Sequence, residues 1–417
     1  MNKNEESEEL EDEIIIIIEE YLENNIRRYS SPEFYEKMGE EIIDYVTKTY
    51  LLEKEDIISE FIWNTIDDIL CYYDIPKRQS QLSDESNDYT ELIANSLREL
   101  ETINTLQPKQ RTSEWYQYRY NRFSASSIWK LLSTLSQYNS LILEKCKKPA
   151  ENLEYPVTNH NNPRNWGVKY EPVSIMVYED KHPTTIVKND YGCIPHPIYP
   201  FIAASPDGIN ISPNCPEKYG RMVEVKNIYN RDITGIPLEE YWIQMQIQME
   251  TCGLEVCDFL ETRFKEYSCE EEFYLDISPE YKGVILFLLG KDGISGSGSS
   301  ENRFEYMPLY VNLEKKHVDK WIREIREKVS ETHLVYETIY WYLDEYSCVV
   351  VERNTLWFES VLPIFEEAWN IVVFERTHGH KHREPVSRTK NNSATATATS
   401  TTITKKMADK IFVVKLE

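Results

Sequence analysis

The chain has 417 residues, enough for a sizeable core and, at roughly 150 residues per domain, for two or three units. With 46 Lys and Arg against 71 Asp and Glu its formal charge is −25, which excludes a globally basic nucleic-acid binder. A hydrophobic fraction of 41% with 12% aromatics excludes wholesale disorder. Residues 1–100 hold 27 acidic and 9 basic side chains, so most of the charge excess sits in the first quarter and a local basic groove stays open further on. The eight cysteines form no CxxC motif, and Cys252 and Cys257 have no matching second pair. That pattern speaks against a structural zinc site and for reduced thiols. The acidic start MNKNEESEEL is no export signal, and the apolar run Ile14–Ile18 is far short of the ~20 residues of a membrane span. The expectation is a soluble intracellular protein.

In chain order, residues 8–104 predict three or four helices. Ile42, Ile43, Val46, Tyr50 and Leu51 recur at helical spacing, and Ser31-Pro32-Glu33 is a helix start with Pro in the first turn. Pro76 breaks the third segment, and Gln79–Asp88 reads as a polar connector. This acidic block reads as a solvated helical cap, with a partner-binding or DNA-mimicking module as the rival. A helix over Ser113–Tyr120 leads through Arg122–Ser127 into an amphipathic helix near Ile128–Leu135. After a polar Asn/Pro stretch at 159–165, a helix starts at Trp166. Short strands are predicted at 184–189, 200–204 and 221–226, a helix over 238–252, and strands at 256–264 and 271–276. Gly293, Gly296 and Gly298 lack a strand–glycine–helix setting and read as a hairpin loop between 283–289 and 304–311. Residues 314–372 read as mostly helical, with Trp321, Trp341, Trp357 and Trp369 as packing anchors. The histidines at 378, 380 and 382 read as a solvated cluster rather than a metal site, and Ser393–Thr402 as a mobile tail. Alternating helices and strands indicate an α/β fold with a mixed sheet.

The chemistry concentrates in Ser205-Pro206-Asp207-Gly208 and Val223-Glu224-Val225-Lys226. On a strand, Glu224 and Lys226 project to one face while Val223 and Val225 face the core. Asp207, on a Pro/Gly turn, can meet them from the neighbouring strand. Two carboxylates and an inward backbone carbonyl, that of Val225, make a hard-oxygen site suited to Mg²⁺ or Mn²⁺. Such an ion polarises a phosphoryl oxygen and lowers the pKa of a bound water, which Lys226 would orient or help to deprotonate. Taken alone, an Asp followed by Glu-x-Lys also occurs as an ordinary surface turn and ion pair.

Here the motif belongs to an ordered series: Trp115-Tyr116-Gln117-Tyr118-Arg119, Ser124-Ala125-Ser126, Asn165-Trp166-Gly167-Val168-Lys169-Tyr170-Glu171, Ser205-Pro206-Asp207-Gly208, Glu224-Val225-Lys226 and Gln244-Met245-Gln246. The series resembles the YqaJ-type viral recombinase family, relatives of lambda exonuclease in the PD-(D/E)XK nuclease superfamily. It also looks like the versions carried by giant DNA viruses, and the resemblance covers roughly residues 110–290. The resemblance implies a restriction-endonuclease-like core, a mixed sheet flanked by helices, with helical N- and C-terminal extensions. The boundaries are an acidic helical region at 1–105, a nuclease core at 106–312, a helical C-terminal extension at 313–376 and a mostly flexible tail at 377–417.

The resemblance further implies that Asp207 and Glu224, with the Val225 carbonyl, hold Mg²⁺, with Mn²⁺ able to substitute. Lys226 is then the catalytic lysine and Glu171 an acidic helper. Arg119, Ser126, Ser205, Gln244 and Gln246 grip the scissile strand and a terminal 5′-phosphate, Gln246 with a catalytic part as well; a guanidinium, hydroxyls and amides suit phosphate oxygens. The implied activity is hydrolysis of duplex DNA from an end, making single strands for recombination or repair, without ATP. Expected partners are duplex DNA ends, with room for a single-strand annealing protein and for a homo-oligomer, and the implied location is the host cytoplasm, in a viral factory, or the virion. Asn227 departs from relatives that carry Cys-Pro or similar after the lysine. An endonuclease with the same metal core and a non-catalytic DNA-binding or virion protein remain the alternatives.

Overall fold

The computed structural model describes residues 3–50, 56–80, 90–108, 112–148, 163–182, 184–187, 192–212, 215–291 and 302–384. The expected loop at 291–301, apart from Lys291, and the tail over Ser393–Thr402 lie outside them.

The acidic region forms helices α1 (Lys3–Asn25), α2 (Phe34–Thr49), α3 (Asp56–Tyr72) and α4 (Thr90–Thr105), with a 3₁₀ turn over Ile26–Ser30. Helical period splits the isoleucine run: Ile14 and Ile18, four apart, are buried, whereas Ile15 and Ile16 are exposed. The buried stripe does not close a small core of its own. It joins one hydrophobic cluster with two later helices, α9 (Glu239–Cys252) and α12 (Thr355–His378). Tyr29 meets the Trp242 ring at 6.2 Å, and Trp242 meets Trp357 edge-on at 5.0 Å. Buried Arg78 ties the pieces together. Its guanidinium donates to the carbonyls of Ser30 (3.1 Å) and Pro237 (2.6 Å), and its own carbonyl accepts from Trp242 Nε1.

Next come α5 (Ser113–Tyr120), β1 (Phe123–Ser124), α6 (Ala125–Ile128), α7 (Leu135–Cys146) and α8 (Pro163–Lys181). The helix expected near Ile128–Leu135 is instead a single turn and a 3₁₀ turn, and the long helix starts only at Leu135, where Thr134 accepts from the Gln137 amide. Strands β3 (Ile194–Pro195) and β4 (Ile202–Ala204) join β1 in a small sheet of order β1-β4-β3.

The main sheet runs β2-β5-β6-β7-β10-β8-β9. Its strands are β2 (Ile186–Val187), β5 (Gly208–Asn210), β6 (Met222–Asn227), β7 (Val256–Glu266), β8 (Lys282–Gly290), β9 (Arg303–Tyr306) and β10 (His333–Glu352). The β6–β7 pair is parallel and the others are antiparallel, so the expected mixed sheet flanked by helices is present. Helix α8 covers the face carrying Val223, Val225 and Leu260, and α9 covers the face carrying Met222, Phe259, Val349 and Val351.

Two further expectations are corrected. Residues 271–276 are no strand. Helix α10 (Glu270–Leu275) forms there, with three glutamates at its positive end and Phe273 buried. More consequentially, the predicted helical C-terminal extension over 313–376 is interrupted by β10, between α11 (Lys315–Val329) and α12. Rich in Val and Tyr, β10 inserts between β7 and β8 and pairs with both. Trp341 is a buried anchor as expected, but it sits on this strand. The sheet that carries Glu224 is therefore completed from beyond residue 312.

Candidate active site

Strand β6 sets the site. Its side chains alternate, so Val223 and Val225 enter the core beneath α8 while Glu224 and Lys226 face α9. Strand β5 accompanies β6 only at Gly208↔Val223 and Ile209↔Met222. Beyond that point the chain leaves the sheet as Ser205-Pro206-Asp207, and Asp207 Oδ2 takes the amide of Val225 at 2.9 Å. A strand residue turns its N–H and C=O to the same side, so the Val225 carbonyl also faces the place where β5 has ended. Gly208 lets β2 close on β5, because a Cβ there would lie 2.4 Å from Ile186 Cγ2.

Glu224 is buried and held from three directions. Lys226 Nζ and Gln244 Nε2 (2.6 Å) donate to Oε1, and Gln248 Nε2 (2.8 Å) donates to Oε2. Lys226 Nζ also reaches Gln244 Oε1 at 3.2 Å and lies over the Tyr241 ring at 4.7 Å. Burial raises the Asp207 carboxyl well above the usual carboxylate range, and the charges of Glu224 and Glu171 push it further, against the lesser pull of Lys226 and the Val225 amide. Glu171, on α8, is thereby brought to the site. Burial by itself would lower the Lys226 ammonium, but Glu224 and Asp207 more than offset it and hold it above its ordinary value. Lys226 is thus fixed as a cation, suited to orienting and neutralising rather than to taking a proton.

Gln244 and Gln248, four apart on α9, share the face toward Glu224. Gln246 lies on the other side. Its amide donates to the Glu352 carbonyl (2.8 Å) and accepts from the Asn354 amide (2.7 Å), securing the junction between β10 and α12. Gln246, expected among the catalytic and DNA-gripping residues, is therefore not brought to the carboxylates. Gln248, not singled out from the sequence, is; the signal was the i, i+4 spacing from Gln244. Ser205 contributes its carbonyl to Gln248 at 3.3 Å, while its hydroxyl turns away to the Gly192 carbonyl.

A second cluster forms where α5 meets α6. Thr112 caps α5 by accepting from the Trp115 amide, and Arg119, over the Trp115 ring at 4.5 Å, donates to Ser124 Oγ at 3.2 Å. Ser124 Oγ in turn meets Ser126 Oγ at 3.3 Å and Ser127 Oγ at 2.8 Å. Helix α6 packs against α9 and β4, so this guanidinium–hydroxyl cluster flanks the helix that carries Gln248 and the strand that leads into the Asp207 turn.

Among the described residues no three His, Cys, Asp or Glu side chains gather as a ligand cage. What fits a divalent cation is narrower: two carboxylates that repel one another, a strand carbonyl on the same side, and a buried Gln248 Oε1 with no hydrogen-bond partner.

Residues 114–255 match the YqaJ-like viral recombinase domain. This stretch is similar to that domain over about a third of the chain. The matched stretch holds all the site residues named above, and the resemblance read from the sequence is borne out. "Uncharacterized protein R354" of Acanthamoeba polyphaga mimivirus is 26% identical over 310 residues, covering 66% of this chain and 54% of that protein. The chain thus spans about half the length of this giant-virus relative. Crystal structures of an alkaline exonuclease, LHK-Exo from Laribacter hongkongensis, and of LHK-Exo in complex with dAMP each align with 16% identity and a TM-score of 0.36. They cover 65% and 64% of this chain, and 95% of their own.

Proposed function

We propose that this chain is a metal-dependent deoxyribonuclease that hydrolyses duplex DNA from a 5′-phosphorylated end. The observation that carries the reading is the meeting of Asp207, on the turn before β5, with Glu224 and Lys226 on one face of β6, inside the YqaJ-like segment. Asp207, Glu224 and the Val225 carbonyl would hold Mg²⁺, with Mn²⁺ acceptable to the same oxygens. When bound, the ion supplies Lewis-acid polarisation of the phosphate and a water of lowered pKa. Lys226, held protonated, orients the attacking water and offsets charge at the reacting phosphate. Gln244 and Gln248 fix the Glu224 carboxylate, and Glu171 adds negative charge on the α8 side. Arg119 with Ser124 and Ser126 offers charge-assisted bonds to a terminal phosphate. The remaining single strand would enter recombination or repair, with an annealing protein as the natural recipient.

The test is incubation of linear 5′-phosphorylated duplex, closed circular duplex and single-stranded DNA with Mg²⁺, with EDTA as control. Progressive loss of the linear duplex alone supports the reading. Nicking of the circle would replace it by an endonuclease, and binding without loss of DNA by a non-catalytic role. Asp207→Asn should abolish cleavage while DNA binding survives.

A further inference from the structure

The chain is strongly acidic, yet two segments far apart in sequence depart from that and are locked together. Residues 119–148 and 375–384 hold nine Lys and Arg and three histidines, but only Glu144, Glu375 and Glu384 as acids. Elsewhere acidic side chains outnumber basic ones heavily. The segments meet through Arg376, whose guanidinium donates to the carbonyls of Lys145 (2.9 Å) and Tyr120 (2.6 Å) and to Asn121 Oδ1 (3.2 Å) while lying over the Tyr120 ring at 3.7 Å. One and a half turns back along α7, Arg383 donates to Asn139 Oδ1 and is paired with Glu375. The end of α12 and its 3₁₀ continuation, Lys381–Arg383, therefore run along α7.

Arg376 and Arg383 are consumed by this clamp, and Lys145 is buried with its ammonium on the Arg119 carbonyl. Three other cations are not. Lys147, Lys148 and Lys381 are exposed, and their ammonium groups make no ion pair or hydrogen bond among the described residues. A helix-end role accounts for Arg376 and His378 near the negative pole of α12, but not for lysines that touch nothing. From Asn139 to Cys146, α7 extends about 10 Å, the rise of about three base pairs. The tract begins at α5, which carries Arg119, because Lys145 and Arg376 bond directly to backbone carbonyls of that helix.

We infer that Lys147, Lys148 and Lys381, on the surface clamped together by Arg376 and Arg383, form a tract that holds the phosphate backbone of duplex DNA beside the site. The inference rests on the nuclease reading above and adds a docking surface that the compact motif series does not contain. The histidine cluster at 378–382 takes its place in this tract. In a molecule that repels polyanions elsewhere, such a tract also sets the direction from which a duplex arrives.

The test uses the full chain carrying Lys147→Glu, Lys148→Glu and Lys381→Glu, three exposed positions whose replacement removes no internal contact. Equilibrium binding to a 30-base-pair blunt duplex is measured in Ca²⁺, without cleavage, from 50 to 200 mM salt. The expected result is at least ten-fold weaker binding at low salt, with a slope of log K against log salt reduced by about 3, roughly one unit per lysine. Single-turnover cleavage at saturating DNA should stay at the wild-type rate, because none of the three touches the carboxylates. An unchanged slope in a variant that still cuts would overturn the tract and leave the nuclease reading standing. A wild-type protein that cuts no DNA would instead overturn the nuclease reading, and the binding slope would still decide the tract.

Discussion

Replacing Gln248 by leucine separates the two glutamines that sequence and structure assign differently. Gln248 is buried, and its Nε2 gives one bond to the Glu224 carboxylate, itself paired with Lys226, and a longer one to the Ser205 carbonyl. A hydrogen bond to a charged group is worth about 1.5–3 kcal/mol and a neutral one about 0.5–1.5 kcal/mol, so the loss is about 2–4 kcal/mol. If most of it is felt in the transition state, single-turnover cleavage falls by thirty- to a thousand-fold, at about 1.4 kcal/mol per factor of ten. Gln246→Leu removes two bonds of similar number, to the Glu352 carbonyl and the Asn354 amide, but at the start of α12. Its cost of about 1–3 kcal/mol should fall on folding, lowering Tm by several degrees with cleavage of the remaining folded protein near wild type. Thermal melts and single-turnover assays on both variants give the readout. An active Gln248→Leu beside an inactive Gln246→Leu of normal Tm would refute the orientation of α9 and restore the residue expected from sequence.

Further outcomes follow from the packing. Removal of residues 1–105 should leave a fragment that fails to fold, since half-exposing Trp242 and Trp357 alone costs about 5 kcal/mol, and a folded fragment 106–417 by circular dichroism would contradict the shared core. Truncation after residue 312 removes β10 and bares β7 and β8; it should give insoluble protein rather than a trimmed nuclease, and soluble, active material would refute the central place of that strand. His196 is kept neutral, its Nδ1 accepting the Ile198 and Tyr199 amides at 3.1 Å, and burial depresses its pKa from 6.5 to about 4. The unfolded chain takes up this proton first, so its contribution is complete above pH 6.5 and fades as pH falls toward 4, by up to about 3 kcal/mol. Urea melts of wild type and His196→Asn should therefore converge between pH 7 and pH 4.5, and a constant difference would refute the neutral imidazole.

The acidic helices and the basic tract give the −25 charge a layout. In the described residues the acidic helices are built onto α9 and α12, whereas basic residues gather where α7 meets the end of α12. An acidic chain can serve a polyanion when its cations are sorted onto one surface by folding, and the tract test asks whether these are.

Local rules were enough to place Glu224 and Lys226 on one strand face, because side-chain alternation is a property of the backbone and needs no partner. They also placed α5, whose cap and aromatic pattern are contained in nine residues. The mixed sheet was legible because β6 and β7 each announce themselves by composition. What the sequence could not decide was every outcome that depends on a distant neighbour. Residues 333–352 have the content of a strand, yet only the gap between β7 and β8 makes them one. The glutamines at 244, 246 and 248 look alike in a row, and the choice among them is made by a carboxylate on one side of α9 and the Asn354 amide on the other. The charge of Lys226 is fixed likewise, since burial favours the neutral amine and only two carboxylates, one arriving from the next strand and one from its own, reverse the balance. Periodicity is written into adjacent residues, whereas facing, strand pairing and ionisation are set by what folding brings within a few ångströms.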